Sequence, residues 1–264
     1  EIRSFEALEN LYLVRTVFFG GGTPSIMDTV QLERVMEQLR EQYEFAEDAE
    51  ITIECNPGTL TEEKLQRYRE MGINRLSIGL QSTHNEELKV LGRIHSYEDF
   101  LESYRLARKV GFQNINVDLM SGLPGQSVEA WDDVLRTVVA LNPEHVSAYS
   151  LSIEEGTPFY ERYASTKGRL LLPKEKEERD MYHMTKEILE EAGYHRYEIS
   201  NYAKKGRECR HNMIYWTGGE YVGFGLGAYS YLGGRRFGNP RNKQEYWESA
   251  RSAYQNYKAT PPQT

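Results

Sequence analysis

Cysteine is scarce in this sequence, and long apolar runs are missing from it. The two cysteines, Cys55 and Cys209, lie far apart among 264 residues, and no Cys-x-x-Cys pair occurs. This spacing excludes a disulfide-stabilised scaffold and favours a reducing, cytoplasmic location. A membrane-spanning helix needs roughly 20 consecutive apolar residues, and no run approaches that length. We therefore expect a soluble protein without a transmembrane segment.

The sequence also lacks a net positive charge. Its formal net charge is −8, which argues against a nucleic-acid partner through bulk electrostatics. The charge is unevenly distributed, because residues 196–243 contain nine basic and three acidic side chains. A solvated basic face and a site for an anionic small molecule are both compatible with this segment.

Standard nucleotide-binding motifs are missing as well. The run Gly20–Pro24 follows the apolar segment Val14–Phe19, but it does not continue into the Gly-Lys-Ser/Thr ending of a phosphate loop. Three consecutive glycines are more than a tight turn requires, so their backbone groups are expected to lie bare against another segment or a ligand. A crowded strand-to-helix turn is the alternative interpretation.

Short apolar runs alternate with amphipathic windows along the chain, at a spacing typical of strand–helix units around a parallel sheet. The predicted strands are Val14–Phe19, Ile51–Glu54, Arg75–Gly79, Ile115–Leu119, His145–Leu151 and a sixth near Tyr197–Ile199. The predicted helices run from Thr29 to Tyr43, from a capping box at Thr59 to Gly72, from Ser96 to Gly111, and onward from Ser127. An open sheet and an incomplete barrel both fit this pattern.

Polar residues stand near the ends of these strands, one in each strand–helix unit. They are Glu54, Gln81, Arg93 and Asp118. In both architectures ligands bind beyond the carboxyl ends of the strands. Carboxylates accept from an amino group or from ribose hydroxyls, and a guanidinium pairs with a carboxylate. The pattern predicts a site for a zwitterionic or sugar-bearing ligand, with ordinary helix-capping polar residues as the alternative.

Five motifs occur in the order and spacing of the radical S-adenosylmethionine family. They are FFGGGTP at 18–24, ECNP at 54–57, LSIGLQ at 76–81, LGRIH at 91–95 and NVDLMSGLP at 116–124. The sequence most resembles the branch that contains the oxygen-independent coproporphyrinogen III oxidases (HemN) and the HemW heme chaperones. The resemblance extends roughly from Val14 to Phe237.

The resemblance implies an α/β fold: a partial (β/α)6-type barrel over residues 1–160, followed by a mixed α+β extension over 161–264. It also implies an S-adenosylmethionine site. In that family the Gly-Gly-Thr-Pro turn receives the methionyl amino group, and polar strand-end residues complete the methionine and ribose contacts. Carried onto this sequence, the cofactor-binding residues are Gly21, Gly22, Thr23, Glu54, Gln81, Arg93, Asp118 and, near the adenine in a strand Tyr149–Ile153, Ser152.

A 4Fe-4S cluster is the second cofactor that the resemblance implies. Family members hold it with three cysteines in a C-x3-C-x2-C loop after the first barrel strand, and a reductant supplies its electron. This sequence contains no such loop. We expect the loop and the first strand to lie upstream of Glu1 in a longer protein, and Cys55 to be a buried structural thiol.

The segment His211-Asn-Met-Ile-Tyr-Trp216 matches a signature, H-N-x-x-Y-W, that resembles the HemW side of the branch. The resemblance implies heme or porphyrin as a third ligand. Its contacts would be an axial imidazole, two flanking aromatic rings and two propionate-binding arginines, namely His211, Tyr215, Trp216, Arg235 and Arg236. HemW-like chains often carry histidine after Gly-Ala, where this sequence has Tyr229. A structural alternative is that His211 anchors a loop through hydrogen bonds and Trp216 belongs to a core.

Three functions follow from the resemblance. The first is a HemW-type protein that binds heme and S-adenosylmethionine and delivers heme to an acceptor such as a respiratory protein. The second is an oxygen-independent coproporphyrinogen III oxidase, which decarboxylates propionates in heme biosynthesis. The third is a ligand-binding barrel scaffold without a cluster. The H-N-x-x-Y-W signature favours the first of these.

Overall fold

The computed structural model describes residues 1–3, 5 and 12–259 and divides the chain into two compact units. The larger unit comprises Phe19–Met27 and Ile51–Glu208. The smaller unit comprises Glu1–Phe18, Asp28–Glu50 and Cys209–Thr264. The predicted division at residue 160 stays a prediction.

The main sheet has seven strands in the order β1-β2-β3-β4-β5-β7-β6. Its strands are β1 (Leu13–Phe19), β2 (Glu44–Cys55), β3 (Arg75–Gln81), β4 (Ile115–Ser121), β5 (His145–Ser150), β6 (His195–Arg196) and β7 (Asn201–Ala203). Strands β2 to β5 pair in parallel. Strand β7 pairs antiparallel with both β5 and β6. A separate hairpin consists of β8 (Tyr229–Leu232) and β9 (Arg235–Gly238).

Helices connect the strands, as the alternating pattern predicts. They are α1 (Thr29–Gln42), α2 (Glu62–Glu70), α3 (Asn85–Val90), α4 (Tyr97–Val110), α5 (Val128–Leu141), α6 (Pro158–Tyr163), α7 (Thr166–Arg169), α8 (Glu175–Glu191), α9 (Arg210–Trp216) and α10 (Lys243–Ala259). Among the residues described, no helix combines the length and apolar character needed to cross a bilayer.

The two faces of the parallel strands differ in chemistry. Because successive side chains of a strand point to opposite faces, one face carries apolar residues that pack under the helices. These are Leu76, Ile78 and Leu80 of β3, Ile115, Val117 and Leu119 of β4, and Val146 of β5, all buried. The opposite face carries buried polar side chains, namely Arg75, Ser77, Asn116, His145 and Ser147. Burying so many polar groups requires that they satisfy one another.

Local signals place the ends of several helices correctly. Ser96 and Asp99 form a reciprocal capping box at the start of α4, and Gly111 ends that helix in the left-handed conformation. The Ser127 side chain accepts from the Ala130 N–H and caps α5, as predicted.

Two local predictions are wrong. The cap of α2 is Thr61, whose side chain accepts from the Lys64 N–H, whereas the Thr59 hydroxyl donates to the Asn56 carbonyl. Both threonines precede an acidic run, so sequence alone does not separate them. The predicted sixth strand near Tyr197–Ile199 is the connection between β6 and β7, and the strands on either side of it are antiparallel.

Candidate functional site

The glycine turn after β1 directs its backbone toward a carboxylate. Gly21 and Gly22 adopt φ values of +82° and +74°, in the left-handed region that favours glycine. The Gly21 N–H donates to Oε2 of Glu54 at 3.0 Å. This contact joins the turn to the end of β2, and both glycines are exposed. The turn therefore leaves backbone groups accessible beside a carboxylate.

Hydrogen bonds with neighbouring residues hold this turn in its conformation. Ser25 is buried, and its hydroxyl accepts from the Asn56 N–H at 3.1 Å and lies 2.7 Å from the Thr59 hydroxyl. The Asn56 side-chain amide donates to the Thr23 hydroxyl at 3.2 Å. The Lys64 ammonium donates to the Ser25 carbonyl at 2.6 Å. The turn is thereby held rigidly in place, as precise ligand recognition requires.

Gln81 ends β3 in an unusual backbone conformation. Its φ is +72°, although it carries a side chain, and the register with β4 shifts between Gly79 and Gln81. A left-handed non-glycine residue is strained. A Cβ on Gly79 would lie 3.1 Å from Gln81 Nε2 and 3.6 Å from Asn56 Oδ1, so the amide folds back over Gly79 toward β2. The absence of a side chain at Gly79 leaves space for the Gln81 amide.

Burial and neighbouring charges shift the pKa values of Glu54, Asp118 and Arg93. Burial raises the pKa of Glu54, and the nearby Asp118 charge raises it further, against the opposing effect of the Gly21 hydrogen bond. Burial also raises the pKa of Asp118, although hydrogen bonds from Asn116 and Ser77 oppose it. Burial lowers the pKa of the Arg93 guanidinium, and Asp118 counteracts that effect. Three of the predicted site residues therefore act electrostatically on one another.

Ser152 differs from the other predicted site residues in its local structure. Strand β5 ends at Ser150, so Ser152 stands in an irregular segment rather than in the predicted strand Tyr149–Ile153, and it is exposed. The structure brings Gly21 and Glu54 into direct contact and couples Glu54, Arg93 and Asp118 electrostatically. None of these contacts includes Ser152.

In the smaller unit, His211 is held by hydrogen bonds through both ring nitrogens. Nδ1 lies 2.9 Å from the Thr16 hydroxyl and Nε2 lies 2.9 Å from the Tyr215 hydroxyl. The imidazole also stacks on Phe18, with ring centroids 5.1 Å apart. Its backbone N–H donates to the buried carboxylate of Glu50 at 3.1 Å. Iron ligation by His211 would require one of the two ring contacts to open.

The other predicted heme contacts are exposed and spread over α9 and β9. Tyr215 contacts the rings of His211 and Tyr221 at 5.2 Å and 4.6 Å, whereas Trp216, the next residue, lies about 100° farther around the helix. Arg235 and Arg236 are consecutive on β9, so their side chains leave opposite faces of the hairpin. The Arg236 guanidinium lies 4.5 Å from the centroid of the Tyr229 ring.

The motifs of the sequence do not single out the polar residues that lie behind Asp118. Asn116, His145 and Tyr197 connect to it through hydrogen bonds. A usable signal was present, because polar residues alternate with apolar ones in otherwise buried strands, as in Ile115-Asn-Val-Asp-Leu119. Such alternation marks a sheet face that needs polar partners.

The two cysteines are buried, and among the described residues no three His, Cys, Asp or Glu side chains form a possible metal site. Burial raises the pKa of the Cys55 thiol, which confirms the prediction of a structural thiol. The described residues accordingly do not fit the role of ligands to an iron–sulfur cluster.

The sequence model of the radical SAM superfamily matches residues 2–138, about half of the chain. The chain belongs to this superfamily. Among curated relatives of this radical SAM chain, the heme chaperone HemW of Bacillus subtilis (strain 168) is 42% identical over 224 residues, which is 84% of this chain and 59% of the relative. HemW of Escherichia coli (strain K12) is 42% identical over 216 residues, which is 82% of this chain and 56% of the relative.

Solved structures agree with the radical SAM assignment. Coproporphyrinogen III oxidase (HemN) from Escherichia coli matches with a TM-score of 0.80 and 26% identity, over 95% of this chain and 60% of that chain. The archaeal Methanocaldococcus infernus Elp3 matches with a TM-score of 0.55 at 22% identity, a level that supports the fold alone. The partial radical SAM barrel expected from the sequence is thereby confirmed. The chain spans less than two thirds of the length of the relatives described.

Proposed function

We propose that this chain is the S-adenosylmethionine-binding part of a HemW-type protein that also binds heme and delivers it to an acceptor. The contact between Gly21 and Glu54 carries the S-adenosylmethionine assignment, because it places a carboxylate beside a turn with exposed backbone groups. The methionyl ammonium would lie against Glu54 and the turn of Gly21, Gly22 and Thr23. Calorimetric titration of the protein with S-adenosylmethionine under anaerobic conditions tests the site, and an absence of binding would reject it.

The remaining polar residues suit the rest of that ligand. The Arg93 guanidinium would pair with the methionyl carboxylate, and Gln81 and Asp118 would accept the ribose hydroxyls. Ser152 would approach the adenine through its backbone. A bound 4Fe-4S cluster would supply the electron that reductive cleavage of S-adenosylmethionine requires. The described residues supply no ligand set for the cluster.

We expect S-adenosylmethionine binding to release protons at pH values near the raised pKa values of Glu54 and Asp118. The pKa values of Glu54 and Asp118 are raised in the ligand-free fold, and a cationic ammonium and sulfonium beside them would lower both. Affinity should therefore fall as the pH decreases through these raised pKa values. Calorimetry in two buffers of different ionisation enthalpy measures the released protons, and identical heats in both buffers would contradict the expectation.

The same shifts set the sign of the pH dependence of stability. For both carboxylates the folded-state pKa lies above the unfolded one, so folding is favoured when they are protonated. Their contribution is present at low pH and is lost as the pH rises through the folded pKa values. Bound ligand should reverse this trend, because it stabilises the ionised forms.

Support for heme binding comes from the smaller unit. His211 supplies an imidazole, Tyr215 and Trp216 expose aromatic surface on α9, and Arg235 and Arg236 add exposed positive charge on β9. An imidazole nitrogen can ligate iron, and arginines pair with propionates. Because β9 sends its arginines to opposite faces, one of the two at most would reach a given propionate. Similarity to the HemW chaperones of Bacillus subtilis and Escherichia coli supports the same assignment.

His211→Ala is expected to abolish the shift of the Soret band that wild-type protein gives with heme. Tyr215→Phe keeps the aromatic ring but removes the hydroxyl that occupies Nε2, so it should preserve or strengthen the shift. His183→Ala, which removes an exposed histidine of α8, is the matched control and should leave the spectrum unchanged. A normal heme spectrum in His211→Ala would exclude the axial role of this residue.

Coproporphyrinogen III oxidation is the second candidate function. The similarity to the Escherichia coli HemN structure over 95% of this chain favours it. Formation of protoporphyrinogen IX from coproporphyrinogen III under reducing, anaerobic conditions would replace the heme-delivery proposal. The higher identity to HemW sequences, 42% against 26%, is the reason for placing heme delivery first.

A further inference from the structure

A chain of hydrogen bonds in the larger unit ends on the Asp118 carboxylate. The Asn116 amide nitrogen donates to Asp118 Oδ1 at 2.8 Å. On its other side, Asn116 Oδ1 lies 2.6 Å from Nδ1 of His145. Nε2 of His145 lies 2.7 Å from the Tyr197 hydroxyl. Asn116 and His145 are buried, and Tyr197 is half-buried in the connection between β6 and β7.

The carboxylate fixes the direction of this chain. An ionised Asp118 accepts hydrogen bonds and donates none, so Asn116 must present its NH₂ group to Asp118 and its oxygen to His145. Ser147 supports this orientation by donating to the same Asn116 oxygen at 3.1 Å. Burial and the charge of Arg75 lower the pKa of His145 well below its usual value, so the imidazole is neutral. It therefore carries its proton on Nδ1 and accepts from Tyr197 on Nε2.

Every donor in the chain thus points toward Asp118. We propose that Tyr197, His145 and Asn116 are positioning residues that keep the Asp118 carboxylate ionised and oriented toward its ligand. The proposal rests on the assignment of Asp118 to the S-adenosylmethionine site. It extends that site to a tyrosine 79 positions farther along the chain, in the connection between β6 and β7.

The opposite direction of these hydrogen bonds would require a protonated Asp118. If Asp118 were protonated, its O–H could donate to an Asn116 amide turned by 180°, and the Asn116 NH₂ group would then face His145. His145 would need the other tautomer, with a bare Nδ1 and a proton on Nε2 that donates to Tyr197. The Tyr197 hydroxyl, as a donor to Nε2, opposes this reversal. Hydrogen-bond chains in a low-dielectric interior reinforce one another in this way.

Other ionisable groups also act on Asp118, and the experiment must hold them constant. They are Glu54 and Cys55 of β2, Arg75 of β3, Arg93 in the loop after α3, and Tyr149 of β5. None of them is altered by a substitution at position 197. Any change in the protonation of Asp118 in such a variant therefore comes from the chain of hydrogen bonds that ends on Asp118.

Tyr197→Phe tests the proposal, because it removes one hydroxyl and keeps the ring. We expect S-adenosylmethionine affinity to fall about three- to ten-fold, the range for one lost hydrogen bond. The acid limb of the affinity–pH profile should move to higher pH, since Asp118 becomes easier to protonate. Nitrogen NMR of the ligand-free protein should identify the Nδ1–H tautomer of His145 in the wild type and a shift toward the Nε2–H tautomer in the variant.

Tyr194→Phe is the matched control. It also deletes a buried tyrosine hydroxyl of the larger unit, one that donates to the Pro143 carbonyl at 2.6 Å, so it reports the cost of a lost hydroxyl alone. Its acid limb and its His145 tautomer should match those of the wild type. If Tyr197→Phe behaves in the same way as Tyr194→Phe, the positioning role is refuted.

Different results would overturn the proposed S-adenosylmethionine site and the positioning role of Tyr197, His145 and Asn116. A wild-type protein that does not bind S-adenosylmethionine would overturn the proposed site. The NMR measurement would still decide the direction of the hydrogen bonds between Tyr197, His145 and Asn116. An Nε2–H tautomer of His145 in the wild type would overturn the positioning role even if S-adenosylmethionine binds.

Discussion

Replacing Glu54 by alanine is expected to weaken S-adenosylmethionine binding about 100-fold, the upper range for losing a hydrogen bond to a charged partner. Two interactions disappear together. The Gly21 N–H loses the oxygen that it contacts at 3.0 Å, so the turn is no longer tied to β2. In the proposed site, the ligand's ammonium would also lose the partly buried carboxylate assigned to it. Calorimetric titration of the variant against the wild type measures the effect.

Two further variants separate these contributions. Glu54→Gln retains an oxygen for the Gly21 N–H but removes the charge, so about a ten-fold loss of affinity is expected from the missing ion pair alone. Glu63→Ala removes an exposed carboxylate on α2 and should bind as the wild type does. Wild-type affinity in Glu54→Ala would place the ammonium elsewhere and remove the central contact of the proposed site.

The strand order explains why Glu54 and Gln81 could be placed near each other from the sequence, because they stand at or beside the carboxyl ends of the neighbouring strands β2 and β3. Parallel strands expose their carboxyl ends on one edge, so polar residues at those ends share a location whatever their sequence separation. The backbone geometry of Gln81 could not be selected in this way. Its left-handed φ depends on the register shift against β4 and on the room above Gly79, which are tertiary features.

Sequence periodicity was least informative where structure is built from short segments. Strands β6 and β7 contain two and three residues, too few for alternation to be read. The apolar residues near Tyr197 suggested one strand, whereas the chain turns there, and the turn brings the tyrosine hydroxyl to His145. The environment of His211 was also hidden, since Thr16 precedes it by 195 positions.

The largest expected change in stability comes from Trp131→Ala. Trp131 is fully buried on α5, in a stripe with Val134, Leu135 and Val138. Removing so large a buried side chain leaves a cavity, and a loss of about 3–5 kcal/mol in the free energy of unfolding is expected. Urea unfolding followed by circular dichroism measures this loss. A loss below about 1 kcal/mol, the range of surface substitutions, would contradict the assigned packing.

Because the indole N–H of Trp131 makes a hydrogen bond, the free-energy cost of the cavity can be measured separately from the cost of losing that hydrogen bond. The indole N–H donates to the Thr185 hydroxyl at 2.8 Å, and that hydroxyl donates to the Met181 carbonyl of α8. Trp131→Phe removes the donor and Thr185→Val removes the acceptor, so each single variant leaves one buried group unsatisfied at a cost of about 1–3 kcal/mol. The double variant leaves neither, and it should be less destabilised than the sum of the two single variants. Strict additivity would mean that α5 and α8 are joined at this point by packing alone.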